Sequence, residues 1–140
     1  MCQHCTIEAP GTAGPLFLAS GGTTRLDDTV LEVNAGPAVR AQLGGTLVAH
    51  GLTASATDTV IENDAVLELH DTTVSTDHTD PVLLVGSGTR TVLDGFVAEA
   101  LVQGSQGMSF AGGSLEARHV LRRTLAEHLY HAPSAEVSGL

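Results

Sequence analysis

The feature that most constrains this chain is an internal repeat with a period of about 22 residues. Lines begun at Gly14, Gly36, Asp58 and Asp80 read GPLFLASGGTTRLDDTVLEVNA, GPAVRAQLGGTLVAHGLTASAT, DTVIENDAVLELHDTTVSTDHT and DPVLLVGSGTRTVLDGFVAEA. Val30, Leu52, Val74 and Phe96 then fall in one column at a single constant interval. Pro15, Pro37 and Pro81 share another, with Thr59 filling the gap. A shorter fifth line, LVQGSQGMSFAGGSLEA, restores the phase with Leu115 beneath Phe96.

Each line has the same texture. A short apolar stretch leads into a Gly- or Asp-containing turn. A second stretch with period-two alternation follows, and then a tight polar turn: LDDT, AHG, HDTT, LDG or AGGS. A third stretch closes the lap. Three strands and three turns per lap make a solenoid, because one lap cannot bury its inward face alone and stacking builds a continuous core. Laps one strand spacing apart, roughly 4.8 Å, align equivalent side chains in ladders. A β-sandwich has no reason to repeat at one interval, and a left-handed β-helix would show a six-residue rhythm. The repeat therefore predicts an all-β, right-handed parallel β-helix of about five coils of about 22 residues.

The ends depart from the repeat. Thr6 to Ala9 resembles the third stretch of a lap, with Ile7 lying one lap and one further position before Val30. Positions 1–13 thus read as a partial coil and 14–117 as the coils proper. From Leu115 to His131 the segment LEARHVLRRTLAEHLYH is rich in helix formers, with Leu121, Leu125 and Leu129 at helical spacing and Pro133 as a stop. Ser114 suits an N-cap and Glu116 the first turn. Positions 118–140 are expected to hold a helical cap and tail that shield an edge otherwise open to end-to-end self-association. The rival is a sixth coil, since Val137 follows Leu115 by one repeat interval.

Composition narrows the partners. Sixteen acidic residues against six Lys and Arg give a formal charge of −10, which repels nucleic acid and anionic lipid. No apolar run is long enough to insert in a membrane, and the N-terminus shows no signal peptide, lacking a basic region followed by an apolar stretch. Cys2 and Cys5 are the only cysteines, so the body of the fold is free of disulfides and the redox compartment is open.

Two clusters carry candidate chemistry. In the polar-turn column, Asp27 and Asp28 lie one lap from His50-Gly51, with His70-Asp71 and Asp94 below. An Asp pair and a His-Gly on adjacent coils resembles the polygalacturonase pattern, in which paired carboxylates protonate the leaving oxygen and activate water. The Asn-Thr-Asp stretch and the Arg-x-Lys of that family are absent here. Asp and His are also ordinary turn residues, so no catalytic residue is favoured; Asp27, Asp28, His50 and Asp94 stand as the alternative. Cys2, His4 and Cys5 could contribute to a zinc site, but a tetrahedral site needs a fourth ligand, so neither metal nor cofactor is expected. His78, His119, His128 and His131 read as solvated, and the Thr residues form no regular Thr-x-Thr ladder of the ice-binding kind.

Laps of this kind ending in GGSLEA, at Gly112, Gly113, Ser114 and Leu115, resemble the passenger domains of bacterial autotransporters of the pertactin kind. That resemblance, spanning Gly14 to Ala117, implies a β-helix that is secreted or displayed on a cell surface and meets a carbohydrate or a host protein. The expectation is a non-catalytic binding or structural module, adhesin-like. The alternative is a polysaccharide-acting hydrolase or lyase of the pectin lyase-like group.

Overall fold

In a computed structural model the chain winds as a β-solenoid in which the strand pairings among the described residues are parallel. The structure describes residues 2–13, 17–19, 21–42, 44–77, 81–86, 89–100, 108–124, 130–131 and 135–138. Each lap contributes one strand to each of three sheets. The first sheet stacks Cys2–Gln3, Gly22–Asp27, Gly45–His50, Val66–His70, Arg90–Asp94, Gly113–Arg118 and Ala135–Ser138, in chain order. The second stacks Thr6–Ala13, Val30–Ala35, Thr53–Ala56, Thr73–Thr76, Val97–Ala100 and Leu121–Thr124. The third stacks Phe17–Ala19, Val39–Ala41, Ile61–Asn63, Leu83–Val85, Met108–Phe110 and Tyr130–His131.

Strand periodicity decides the core. Gly45–His50 alternates buried and half-buried residues without a break, as a pleated strand with one face inward must. Leu47 and Ala49 point in, in register with Leu67 and Leu69, then Thr91 and Leu93, then Leu115 and Ala117. Val39, Ile61 and Leu83 form the corresponding buried ladder on the third sheet. The buried Asn63 amide is engaged at both ends. Its oxygen accepts the Ala65 N–H at 3.0 Å and its nitrogen donates to the Thr91 hydroxyl at 3.1 Å, tying the third sheet to the first.

The repeat is an average, not a constant step. On the third sheet Phe17, Val39, Ile61 and Leu83 do pair in the constant step of the repeat, which keeps Pro37, Thr59 and Pro81 in phase; Pro15 lies outside the described residues. On the first sheet Asp27, His50, His70, Asp94 and Arg118 pair in succession at steps of 23, 20, 24 and 24. The column of Val30, Leu52, Val74 and Phe96 is therefore corrected. Val30 pairs with Thr53, and Val74 with Ala54, while Leu52 and Phe96 share a column with Thr29 and Thr72. Leu115 is opposite Thr91 rather than beneath Phe96. A shift of one residue exchanges inside for outside, so Leu52 and Phe96 are fully buried and Val30 only half.

The C-terminal helix is also corrected. Gly113–Arg118, Leu121–Thr124, Tyr130–His131 and Ala135–Ser138 are strands that continue the three sheets. Leu115 pairs with Val137, the relation that the rival sixth coil requires. Helix propensity is worth a few tenths of a kcal/mol per residue, whereas an open sheet edge offers a row of unpaired donors and acceptors. Of the three leucines at helical spacing, Leu121 is in a strand and exposed; Leu125 and Leu129 lie outside the described residues.

Candidate functional site

The corner between the first and second sheets is the most regular part of the molecule. In every lap from Gln3 to Leu121 it has two residues: His4-Cys5, Asp28-Thr29, Gly51-Leu52, Asp71-Thr72, Gly95-Phe96 and His119-Val120. The first of each pair has a left-handed backbone, with φ between 45° and 69°. Its N–H still joins the inter-lap ladder. Asp28 donates to the His50 carbonyl at 2.8 Å, Gly51 to His70 at 3.0 Å, and Asp71 to Asp94 at 2.9 Å. The second residue turns inward: Thr29, Leu52, Thr72 and Phe96 are fully buried. The two threonines satisfy their hydroxyls by donating to the carbonyls of Asp27 at 3.0 Å and His70 at 3.1 Å.

This geometry accounts for the residues that looked like chemistry. A left-handed position admits Gly, Asp, Asn and His far more readily than other types. Asp28, Asp71, His4 and His119 meet that demand, and so do Gly51 and Gly95. The Asp28 and Asp71 carboxylates also lean over those glycines. A Cβ on Gly51 would lie 2.5 Å from Asp28 Oδ1, and one on Gly95 would lie 2.6 Å from Asp71 Oδ1. Asp and Gly therefore alternate down the corner for a backbone reason.

Beside that corner, the last outward residue of each first-sheet strand forms a second line: Asp27, His50, His70, Asp94 and Arg118. Asp27 is held by Arg25 of its own strand, Nε to Oδ2 at 2.9 Å. His50 and His70 stack face to face, ring centroids 4.6 Å apart and 9° from parallel. Asp94 accepts from His119 at 3.0 Å, one lap on. That bond, helped by the nearby charges of His119, His70 and Arg118, holds the Asp94 carboxyl below its ordinary range against the opposing effect of desolvation.

Asp27 and His50 are thus neighbours on adjacent rungs. Asp28 lies on the next position with its side chain 62% exposed. Asp94 is three rungs from Asp27, roughly 14 Å at the spacing of parallel strands. A carboxylate pair working across one glycosidic bond stands about 5 to 9.5 Å apart. The described acids are spread along a ladder, not gathered around a point. Sequence reasoning missed His119 as the partner of Asp94 and His4 as the partner of Asp28, 3.5 Å away. His4, Asp28 and His119 stand in the left-handed column and Asp94 beside it, and the signal of that column is the run of Gly, Asp and His at each polar turn.

The rest of this face is built from ion pairs around an apolar floor. Arg90 reaches back one lap to Glu68 at 3.0 Å, and Arg118 binds Glu116 of its own strand at 2.9 Å. Between the two glutamates lies Val92. Together with His70 and Asp94 these residues line a shallow recess of about 250 Å³. Among the described residues no group of three or more His, Cys, Asp or Glu could hold a metal ion. Cys5 is disulfide-bonded, which removes its thiolate from the ligand set considered with Cys2 and His4. Comparison with protein-family models, with curated proteins and with solved structures gives no match for this chain.

Proposed function

We propose that the chain is a non-catalytic binding or structural module whose working surface is the outward face of the first sheet. The observation that carries this reading is the spread of acid and imidazole groups along a solvated ladder. Most of them are already engaged by a lateral neighbour: Asp27 with Arg25, Glu68 with Arg90, Glu116 with Arg118, Asp94 with His119. A general acid and base need a reacting atom within hydrogen-bond reach of both. A rigid face repeating at the strand spacing suits recognition of an extended partner by many weak contacts.

The recess over Val92 supports the same reading, since it offers an apolar floor with donors and acceptors around its rim. A carbohydrate or a host protein is the proposed partner class. A secreted, adhesin-like passenger role rests on the autotransporter resemblance. A glycan-array screen run alongside a reducing-sugar release assay tests the assignment. Binding without sugar release is the expected result. Cleavage of a polyuronide that Asp28→Asn or His50→Ala abolishes would replace it with the hydrolase or lyase reading.

A further inference from the structure

Four of the seven histidines, His4, His50, His70 and His119, stand on the outward face of the first sheet or at its corner with the second. From Gly22–Asp27 to Gly113–Arg118 the other charged residues of that face are Arg25, Asp27, Glu68, Arg90, Asp94, Glu116 and Arg118. Three arginines against four carboxylates leave the face at −1 while the imidazoles are neutral, and protonating His50 and His70 brings it to +1. At the corner, His4 and His119 likewise offset Asp28 and Asp71. Imidazole is the side chain whose ordinary titration lies between about pH 5 and 8, a range in which carboxylates stay largely ionised. The face therefore reverses its sign within that range. The chain as a whole does not, since protonating all seven histidines brings the formal −10 only to −3.

His50 and His70 are placed so that their charging is felt. Their rings stack face to face, with centroids 4.6 Å apart. Arg25 and Asp27 face His50 from the lap before, and Glu68 stands with His70 on the lap after. Arg90 and Asp94 face His70 from the next lap, with Arg118 and His119 beyond them, and Asp28 and Asp71 occupy the adjoining corner. Two stacked imidazolium rings repel at that distance, and an anion laid along their edges offsets the repulsion. Arg90 and Arg118 extend the attraction. Each binds its glutamate through one nitrogen, and a guanidinium has five donors in a fork that fits a carboxylate or a sulfate.

We propose that this face binds an acidic glycan in mildly acidic solution and releases it near neutrality, with the His50–His70 stack as the switch. The proposal rests on the reading of the face as a binding surface. A linear acidic glycan repeats its anionic group at regular intervals, as the ladder repeats its side chains, which an acidic protein does not. The apolar floor at Val92, between Glu68 and Glu116, also suits the C–H face of a sugar ring. Charge and affinity are linked, so an anion that prefers the protonated face binds more tightly as pH falls through the imidazole range.

Binding of the full chain to hyaluronan, dextran sulfate, neutral dextran and polyaspartate is measured at about pH 5.5 and about pH 7.5, on either side of the ordinary imidazole midpoint, at constant ionic strength and with the far-UV spectrum checked at both. The expected result is an affinity for hyaluronan, dextran sulfate or both that is on the order of tenfold higher at the lower pH; which of them binds tells a carboxylate from a sulfate source. His50→Gln with His70→Gln should remove most of that dependence, and His50→Arg with His70→Arg should carry binding to the higher pH. Acid-dependent binding that the glutamine pair keeps overturns the part assigned to the stack. Preference for polyaspartate overturns the glycan. Binding that is equal at both pH values and lost in Val92→Glu overturns the switch while leaving the face a binding surface. No binding to any of the four probes overturns the proposal, and the glycan array then decides the broader reading by itself.

Discussion

Leu52 offers the sharpest test of the register. It is fully buried at the first corner, on the rung between Thr29 and Thr72, and the Thr73 N–H holds its carbonyl at 2.8 Å. Truncating a buried leucine to alanine costs about 2–5 kcal/mol, and more where the site cannot collapse. Here the ladder fixes the backbone on both sides, so Leu52→Ala is expected to cost about 4 kcal/mol. For a chain of this size that lowers the melting temperature by roughly 10 °C. Leu52→Asp adds an unpaired buried carboxylate, whose cost exceeds what remains of a typical stability of about 5–15 kcal/mol. That variant should show no cooperative transition in a far-UV thermal scan. The control is Thr53→Asp, one residue on and exposed, which should change stability by less than about 0.5 kcal/mol. If Leu52→Asp keeps the wild-type transition, or Thr53→Asp loses it, the inward and outward columns at this corner are exchanged and the register is wrong.

Three further outcomes follow from the corner. Gly51→Ala should destabilise by about 1–2 kcal/mol in urea titration, because φ is +65° and an alanine there pays the left-handed penalty; Gly51→Asn meets Asp28 in the same way but tolerates the backbone, so it should cost clearly less, and equal losses would point to the carboxylate instead. His119→Ala should raise the Asp94 titration midpoint toward the ordinary carboxylate value, followed by carbon NMR of the side chain, since the His119 hydrogen bond is the largest influence lowering it. A carboxyl depressed in the fold contributes stability above its unfolded midpoint, lost as pH falls through the lower folded one, so this variant should also flatten the acid limb of the stability curve; an unmoved midpoint would show that the bond is not formed in solution. Asp28→Asn, at the corner rather than on the face, should leave glycan-array binding and thermal stability near wild type, whereas Val92→Glu, which charges the floor of the recess, should abolish binding without unfolding the protein.

The site was partly legible before any fold was known. The column of Asp27-Asp28, His50-Gly51, His70-Asp71 and Asp94 was visible as text because the corner that holds it never changes length. Two residues, one left-handed and one buried, recur in each lap, and the left-handed position filters for Gly, Asp and His. The partners across that column were hidden. His119 meets Asp94 and His4 meets Asp28 across intervals longer than the average lap, so a search at the repeat period aligns neither pair.

What the sequence by itself determined is the solenoid: three strand segments per lap, a regular repeat, prolines entering the third sheet, and polar residues at the tight turn. These follow from local chemistry, from β-branched and apolar alternation on the strands and from turn residues between them. Only the tertiary structure decided the register, because the corners other than the first vary in length. Successive laps therefore slip, from the short step that pairs His50 with His70 to the long one that pairs Leu83 with Met108. It also decided the end of the chain. Leu115 to His131 has the residue preferences of a helix, but the laps before it leave parallel edges whose unpaired backbone groups are satisfied by further strands. A local preference of tenths of a kcal/mol per residue yields to a ladder that each new strand extends.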